Sequence, residues 1–297
     1  MDDEQLRHAR SFGSVADAYH RGRPSFPEEA AAWLVGRDAA TVLELGAGTG
    51  KLTAQLVALG HDVHATDPDP EMLKVLSRHL PDVRVSAASA EAIPVPDRSV
   101  DVVVAAQSFH WFDHDVAMPE IARVLKPGGY LALAWNVRNA RIPWVRKLGH
   151  LIGSQEQLAQ ESAEPLVLSP LFGFVEDATF TLWQDINRES LVDLVLSRSN
   201  IATLDPDARA AKVAEVLAFY DDYGRGMDGM QLPYNCLCFK AVVAEQASRS
   251  RDDAPEGDPI DLTGNGTGRG DTGRGDTGPE DPPSDGTDTD MLLIDFR

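Results

Sequence analysis

At 297 residues and 43% hydrophobic content, the chain can build one large domain or two small ones. Its formal net charge of −20 argues against broad attraction to phosphate backbones or anionic membranes, so neither a nucleic-acid partner nor stable membrane association is expected. No run of about 18 apolar residues is present, and the acidic opening Met1-Asp2-Asp3-Glu4 does not read as a secretory signal.

The first strong element is a helix over Pro27–Arg37 that leads into the decapeptide Thr-Val-Leu-Glu-Leu-Gly-Ala-Gly-Thr-Gly at 41–50. An apolar run ends in Glu44, and glycines follow at alternate positions, Gly46, Gly48 and Gly50. The amphipathic segment Lys51–Leu59 comes next. This is the profile of a buried strand turning tightly into a helix, with glycine where a Cβ would block a ligand or force an unfavourable φ. Ligands bind at the carboxyl ends of strands in open α/β sheets, so the turn marks a candidate site, the alternative being a glycine-rich turn with no ligand. A dinucleotide fingerprint needs G-x-G-x-x-G, and Lys51 stands where its third glycine would fall. The phosphate-binding P-loop also fails, because Leu52 follows Gly50-Lys51.

Further strand-like runs lie at 62–66, 83–87, 100–106 and 129–135, with helical patterns in most of the gaps. Such alternation argues for a parallel sheet covered on both faces. Asp67 ends the second run, 21 positions after Gly46, where a carboxylate can accept two hydrogen bonds from a vicinal diol. Pro68 and Pro70 hold Asp67 and Asp69 in a turn, and Asp69 is placed to cap a helix starting at Glu71. Met72, early on that helix, either covers a ligand ring or belongs to the core. Leu125-Lys126-Pro127-Gly128-Gly129 reads as a helix end and a turn before an apolar strand. Beyond it, 141–160, 189–198 and 206–223 look helical, and 174–183 and 231–243 strand-like. Cys236 and Cys238 fall on one face of the last strand and read as reduced structural thiols in a cytoplasmic protein.

Composition breaks near Ser248. From there to Arg297 five arginines face thirteen carboxylates, aliphatic residues are scarce before Met291, and Thr-Gly-Arg-Gly-Asp occurs twice in tandem at 267–276. This acidic stretch is expected to be disordered, its Arg-Gly-Asp tripeptides low-complexity drift, and its protein partner is not readable.

The pattern E-x-G-x-G-x-G at Glu44–Gly50 resembles the first motif of class I S-adenosylmethionine-dependent methyltransferases, and an acid at the mouth of the turn suits an ammonium or sulfonium better than a pyrophosphate. Together with Gln107-Ser108-Phe109-His110-Trp111-Phe112-Asp113 and Val124-Leu125-Lys126-Pro127-Gly128-Gly129, it is similar to the small-molecule branch that includes trans-aconitate-type methyltransferases, over roughly residues 10–245. The resemblance implies an α/β, Rossmann-like, seven-stranded and mostly parallel sheet with helices on both faces and an antiparallel last strand. The methyltransferase domain would span 1–247, with a lid at 1–38, a cofactor-binding core at 39–137, a pocket-capping region at 138–230 and the last strand at 231–247, ahead of the 248–297 tail.

The same resemblance implies a cofactor, S-adenosylmethionine, released as S-adenosylhomocysteine, with no metal. Its binding residues would be Arg23, Glu44, Gly46, Ala47, Gly48, Asp67, Pro68, Met72, Ser89, Ala90 and Gln107. Ser89 and Ala90, in Ser89-Ala90-Glu91-Ala92-Ile93-Pro94, would read the adenine edge, with serine where the branch also uses aspartate. Phe12–Tyr19 and Arg23-Pro24 resemble the lid, which would bring Tyr19 near the sulfonium and Arg23 to the methionine carboxylate. Tyr19 could instead simply cover the core. His110 could be a general base or a pocket-shaping histidine beside Trp111; Asp113 could orient it or cap the following helix. Trp111, Arg138 and Arg198 are candidates to hold a small, acidic acceptor, the two arginines being surface cations otherwise. Three functions follow in order: O-methylation of a small molecule at carboxylate or hydroxyl, a binding module that keeps the cofactor without turnover, and a nicotinamide oxidoreductase.

Overall fold

In the central strands nearly every side chain is apolar, as both faces of a parallel sheet must be when helices cover them. Strand β4 (Val100–Ala106) shows this directly: Val103 and Ala105 enter the core on one face, Val102 and Val104 on the other. The computed structural model describes residues 16–153, 163–223 and 230–244. The Phe12–Val15 part of the expected lid and the 248–297 tail lie outside them.

The described residues form a seven-stranded sheet of order β3-β2-β1-β4-β5-β7-β6. Its strands are β1 (Thr41–Leu45), β2 (Asp62–Asp67), β3 (Arg84–Ala87), β4, β5 (Leu125–Arg138), β6 (Phe172–Ile186) and β7 (Met230–Val243). Strands β1 to β5 run parallel, whereas β7 is antiparallel to both β5 and β6. The expected Rossmann-like sheet with an antiparallel last strand is therefore what the chain adopts. Strand order reverses at β1 and β4, where consecutive crossovers leave to opposite sides and open a crevice at the strand ends.

Helix α1 spans Ala16–Gly22, α2 Glu28–Val35, α3 Lys51–Ala58, α4 Pro70–His79 and α5 His114–Val124. Phe26, Leu34, Leu52 and Leu56 cover one face of the sheet, while Phe109, Ile121 and the 3₁₀ turn Phe109–Trp111 belong to the other. Asp69 caps α4 as anticipated, accepting from Glu71 N at 2.9 Å, with Pro70 in the first turn. A third apolar cluster stands beyond the strand ends, built from α6 (Pro143–Ile152), α7 (Arg188–Leu196), α8 (Ser199–Ala202) and α9 (Pro206–Tyr223) with Leu232 and Tyr234 of β7.

The structure corrects three boundaries. Strand β5 begins at Leu125, and its pairing jumps from Val100↔Leu125 to Val102↔Tyr130, so Lys126–Gly129 bulges out of the ladder instead of preceding it. The helix expected over 141–160 stops at Ile152, because Gly153 takes φ +93°. Strand β6 runs longer than 174–183, since it pairs with β7 over most of its length. Cys236 and Cys238 do share a face; their Sγ atoms lie 3.7 Å apart in the core as free thiols.

Helix α1 crosses over the strand ends and is fastened on two sides. Arg21 donates to both Asp193 oxygens on α7, at 2.7 and 2.9 Å, and Arg78 of α4 donates to Asp17 at 2.8 Å. Gly22 makes the α1–α7 approach possible: a Cβ there would lie 2.3 Å from Leu194 N and 2.4 Å from the Asp193 carbonyl carbon. Backbone cannot yield as a side chain does. Gly22→Ala is therefore expected to destabilise the chain by about 1–3 kcal/mol, whereas Arg21→Ala, at an exposed pair, should shift stability far less. Urea midpoints of the two variants check this, and a wild-type midpoint for Gly22→Ala would show that α1 does not pack this way.

Candidate functional site

Three glycines shape the turn that closes β1. Gly46, Gly48 and Gly50 all take left-handed φ values, +67°, +55° and +84°. At Gly46 two constraints coincide, because a Cβ would also fall 2.4 Å from Ser108 Cβ at the tip of β4. The turn is pinned by Ser108 Oγ donating to Leu45 O at 2.8 Å, Ala47 N donating to Thr66 O at 2.9 Å and Gly48 N donating to Asp67 Oδ2 at 2.9 Å.

A cavity opens above this turn. Its walls bring together eight of the residues expected from sequence: Tyr19, Arg23, Glu44, Gly46, Ala47, Gly48, Gln107 and Arg138. Glu44 is buried, and Thr53 Oγ1 donates to its Oε2 at 2.7 Å. Burial pushes its pKa up to about 8, against the pull of the Thr53 hydrogen bond and with a further push from Asp67. The carboxyl is thus largely protonated at neutral pH. Gln107 has φ +59°, a left-handed conformation unusual for a side-chain-bearing residue, and its Nε2 donates to Asn136 O at 3.0 Å. Arg23 donates through Nε to Ser197 Oγ at 2.9 Å and through Nη2 to Ser197 O at 3.1 Å, and its guanidinium lies 5.1 Å above the Tyr19 ring.

The other expected residues lie outside these walls. Asp67 sits behind the turn, its second oxygen accepting from Asp69 N at 2.8 Å; burial, opposed by the two N–H donors, raises its pKa to about 6. Its neighbour Pro68 stays exposed in that turn. Met72 packs with Ala16, Val75 and Tyr19 where α1 meets α4, the core alternative of its two readings. Ala90 is buried in the main core, and half-buried Ser89 accepts from Ala92 N through its carbonyl at 3.3 Å. His110 lies against Trp111 with the rings tilted by 42° and their centroids 4.7 Å apart, its Nδ1 is sealed from solvent without a partner, and burial with Arg23 and His114 nearby lowers its pKa to about 4. Among the described residues no hydrogen bond links Asp113 to His110; Asp113 holds the N-cap position of α5.

Arg138 and Arg198 are not surface cations. Both are buried, at 4% and 7% exposure. Arg138 donates through Nη2 to the carbonyl of Gly153, and Arg198 Nη2 packs where a Cβ on Gly153 would come within 3.1 Å. Sequence reasoning missed Pro24, Phe26, Thr49, Lys51, Leu52, Ala106, Asn136, Leu194 and Tyr234 as cavity walls. Of these, only Thr49 and Lys51 carried a usable signal, being part of the glycine turn itself.

A ligand with both an ammonium and a carboxylate fits this chemistry. Glu44 answers the first; Lys51, Arg23 and the buried, unpartnered Thr49 Oγ1 answer the second. Among the described residues no cluster of three or more His, Cys, Asp or Glu is arranged to hold a metal ion, and no helix is long and apolar enough to cross a membrane.

Comparison with known proteins gives a consistent picture. Residues 43–133 match the family described as a methyltransferase domain. An uncharacterised methyltransferase of Mycobacterium tuberculosis is 44% identical over 237 residues, 79% of this chain and 96% of that protein. A trans-aconitate 2-methyltransferase of Azoarcus is similar over a shorter stretch, 39% identical over 99 residues, 32% of this chain and 39% of that one. The solved structure of a type II methyltransferase from Anaeromyxobacter dehalogenans superposes with a TM-score of 0.59 at 25% identity, over 74% of this chain and 97% of the other.

Because Glu44 is buried uncharged, its ionisation in the unfolded chain favours unfolding as pH rises from about 4.5 toward about 8. Glu44→Gln is therefore expected to raise the melting temperature at pH 7.5 and to leave it nearly unchanged at pH 4. Thermal melts at the two pH values decide the matter; equal shifts at both would mean that Glu44 is not buried as a neutral acid.

Proposed function

This chain belongs to the methyltransferase family, and from its site we propose that it transfers a methyl group from S-adenosylmethionine to an oxygen of a small acceptor. Family membership removes the nicotinamide reading. One observation carries the proposal: a single cavity joins the buried acid Glu44, the glycine turn, the unpartnered Thr49 Oγ1 and two cations, Lys51 and Arg23.

S-adenosylmethionine supplies an electrophilic methyl carbon on a sulfonium. The residues then have separable roles. Glu44 ionises against the ammonium, the Gly46–Gly48 backbone lets the ligand lie close to β1, and Arg23, Lys51 and Thr49 take the carboxylate. Asp67 accepts from the ribose diol with the lone pairs that Gly48 and Asp69 leave open, Pro68 keeps that turn rigid, and Ser89 and Ala90 flank the adenine. Tyr19 offers its ring face to the sulfonium. Helix α1 and the cap exclude water while aligning acceptor, methyl and sulfur for in-line displacement.

His110 argues for a particular acceptor oxygen. With a pKa near 4 it is neutral but too weakly basic to take a proton from an alcohol or an ammonium. A carboxylate arrives deprotonated and needs no base, so oxygen methylation of a carboxylate suits the site better than that of a hydroxyl. His110 and Trp111 then shape the acceptor side. The partial match to a methyltransferase named for trans-aconitate supports an organic-acid acceptor.

Calorimetric titration with S-adenosylmethionine is expected to show one site per chain, weakened about tenfold, or 1.4 kcal/mol, by Asp67→Ala. Absence of binding would sink the reading. Affinity should also rise with pH between 6 and 7.5, where the ligand ammonium stays charged while Glu44 gives up its proton; Glu44→Gln should flatten that dependence. Incubation with labelled S-adenosylmethionine and a panel of small acids separates an enzyme, which forms product, from a module that only binds.

A further inference from the structure

Strand β6 closes one end of the sheet, and among the described residues no strand pairs with its outer side. It is 15 residues long and contains no proline, lysine or arginine, the residues that commonly guard an edge against further pairing. The register shift between Phe172 and Val175 lies at one end, and Val175–Ile186 then pairs with β7 without interruption. One face of this edge is bare: Asp177, Thr179, Thr181 and Trp183 alternate along it and are exposed, Trp183 at 57%. On the other face Phe180 packs against Trp33, and Glu176 reaches Lys240 Nζ at 3.6 Å.

A long edge of unpaired N–H and C=O groups is a template for another strand, and the order of residues in β6 says which. Let two β6 strands meet antiparallel with Thr179 on the two-fold axis. On the bare face Thr179 then opposes its own copy, Asp177 opposes Thr181, and Val175 opposes Trp183. On the other face Ala178 opposes Phe180 and Glu176 opposes Leu182. Asp177 meets a hydroxyl donor, an aromatic meets a β-branched side chain, and no acid opposes an acid. A register centred two residues away in either direction loses this: on Asp177 the acid faces itself, and on Thr181 it faces Asp185. The acids of β6 therefore narrow the register without forbidding the pairing.

We infer that β6 is a homodimerisation edge, through which two copies of the chain pair antiparallel along Val175–Trp183, about Thr179, and join their sheets into one. The shared ladder is about 30 Å long, and Trp183 is covered by Val175 of the other copy on each side of the axis. A contact of this isologous kind closes on itself, so association stops at two copies. The cavity at the ends of β1 and β4 takes no part in it.

Sedimentation velocity of the full chain between about 1 and 100 μM is expected to show a reversible monomer–dimer equilibrium. Thr179→Lys and Thr179→Glu each set like charges against one another across the axis and should weaken the dimer about fivefold or more. An equimolar mixture of the two should restore it, because lysine then faces glutamate. Circular dichroism establishes that each variant is folded. Thr179→Cys gives an independent reading: a short bismaleimide should join two such copies but not two copies of Trp183→Cys, whose thiols lie far from one another, and the buried Cys236 and Cys238 stay out of the reaction.

A chain that stays monomeric over that range overturns the inference. A dimer that both charged variants leave intact does so too, because its contact then lies elsewhere. So does a mixture of the folded charged variants that associates no better than either alone, because Thr179 is then off the axis. If a charged variant does not fold, the cysteine pair decides: no cross-link at Thr179→Cys, or an equal one at Trp183→Cys, overturns the edge.

Discussion

The turn between β1 and α3 is gripped by both of its neighbouring strands, and the site depends on that grip. From the β4 side Ser108 bonds to Leu45 O and occupies the space that a Cβ on Gly46 would need. From the β2 side Thr66 O and Asp67 Oδ2 receive the N–H groups of Ala47 and Gly48. Three left-handed glycines in five residues would otherwise be a loose hinge, since glycine loses more freedom on ordering than any other residue. Held this way, the turn keeps Glu44 and Thr49 at fixed places in the cavity wall.

Charge in the cavity is arranged against stability. Glu44 lies buried on one wall and is kept neutral by its surroundings. Arg23 and Arg138 line the same cavity, and Arg198, buried outside its walls, retains N–H groups without partners. Neither arrangement favours the empty fold. Both are relieved when opposite charge is brought to them. Function and stability pull apart here, as they commonly do where charged groups are held ready for a ligand.

The cap brings these groups into one place. Ser197 and Arg198 follow α7; Ser197 fixes Arg23 from α1, and Gly153 at the end of α6 receives Arg138 from β5. Helix α1 is drawn onto α7 through Gly22, and its Arg21 reaches Asp193. The elements that shape the cavity walls are therefore also those that close it, so the acceptor side is built from pieces remote in sequence while the turn side is built from one continuous segment.

That division explains what could be read from the chain alone. Strand and helix alternation, the Glu44–Gly50 turn and the Asp69 cap are local: each depends on residues within a few positions of one another, where steric limits on φ and short-range hydrogen bonds leave few alternatives. The place of the cavity follows from the same stretch, because the carboxyl end of β1 is where a parallel sheet exposes backbone N–H groups. Thr53 as the partner of Glu44 is nine positions away, one strand-to-helix step, and was already beyond reach. Met72 as a core residue depended on where α1 came to rest. Arg23 and Ser197 are separated by 174 positions, and nothing in either neighbourhood specifies the other. Whether Arg138 and Arg198 are exposed or buried was decided only when β5, β7, α6 and α7 packed together, because burial is a property of the assembled cap and not of the residues that enter it.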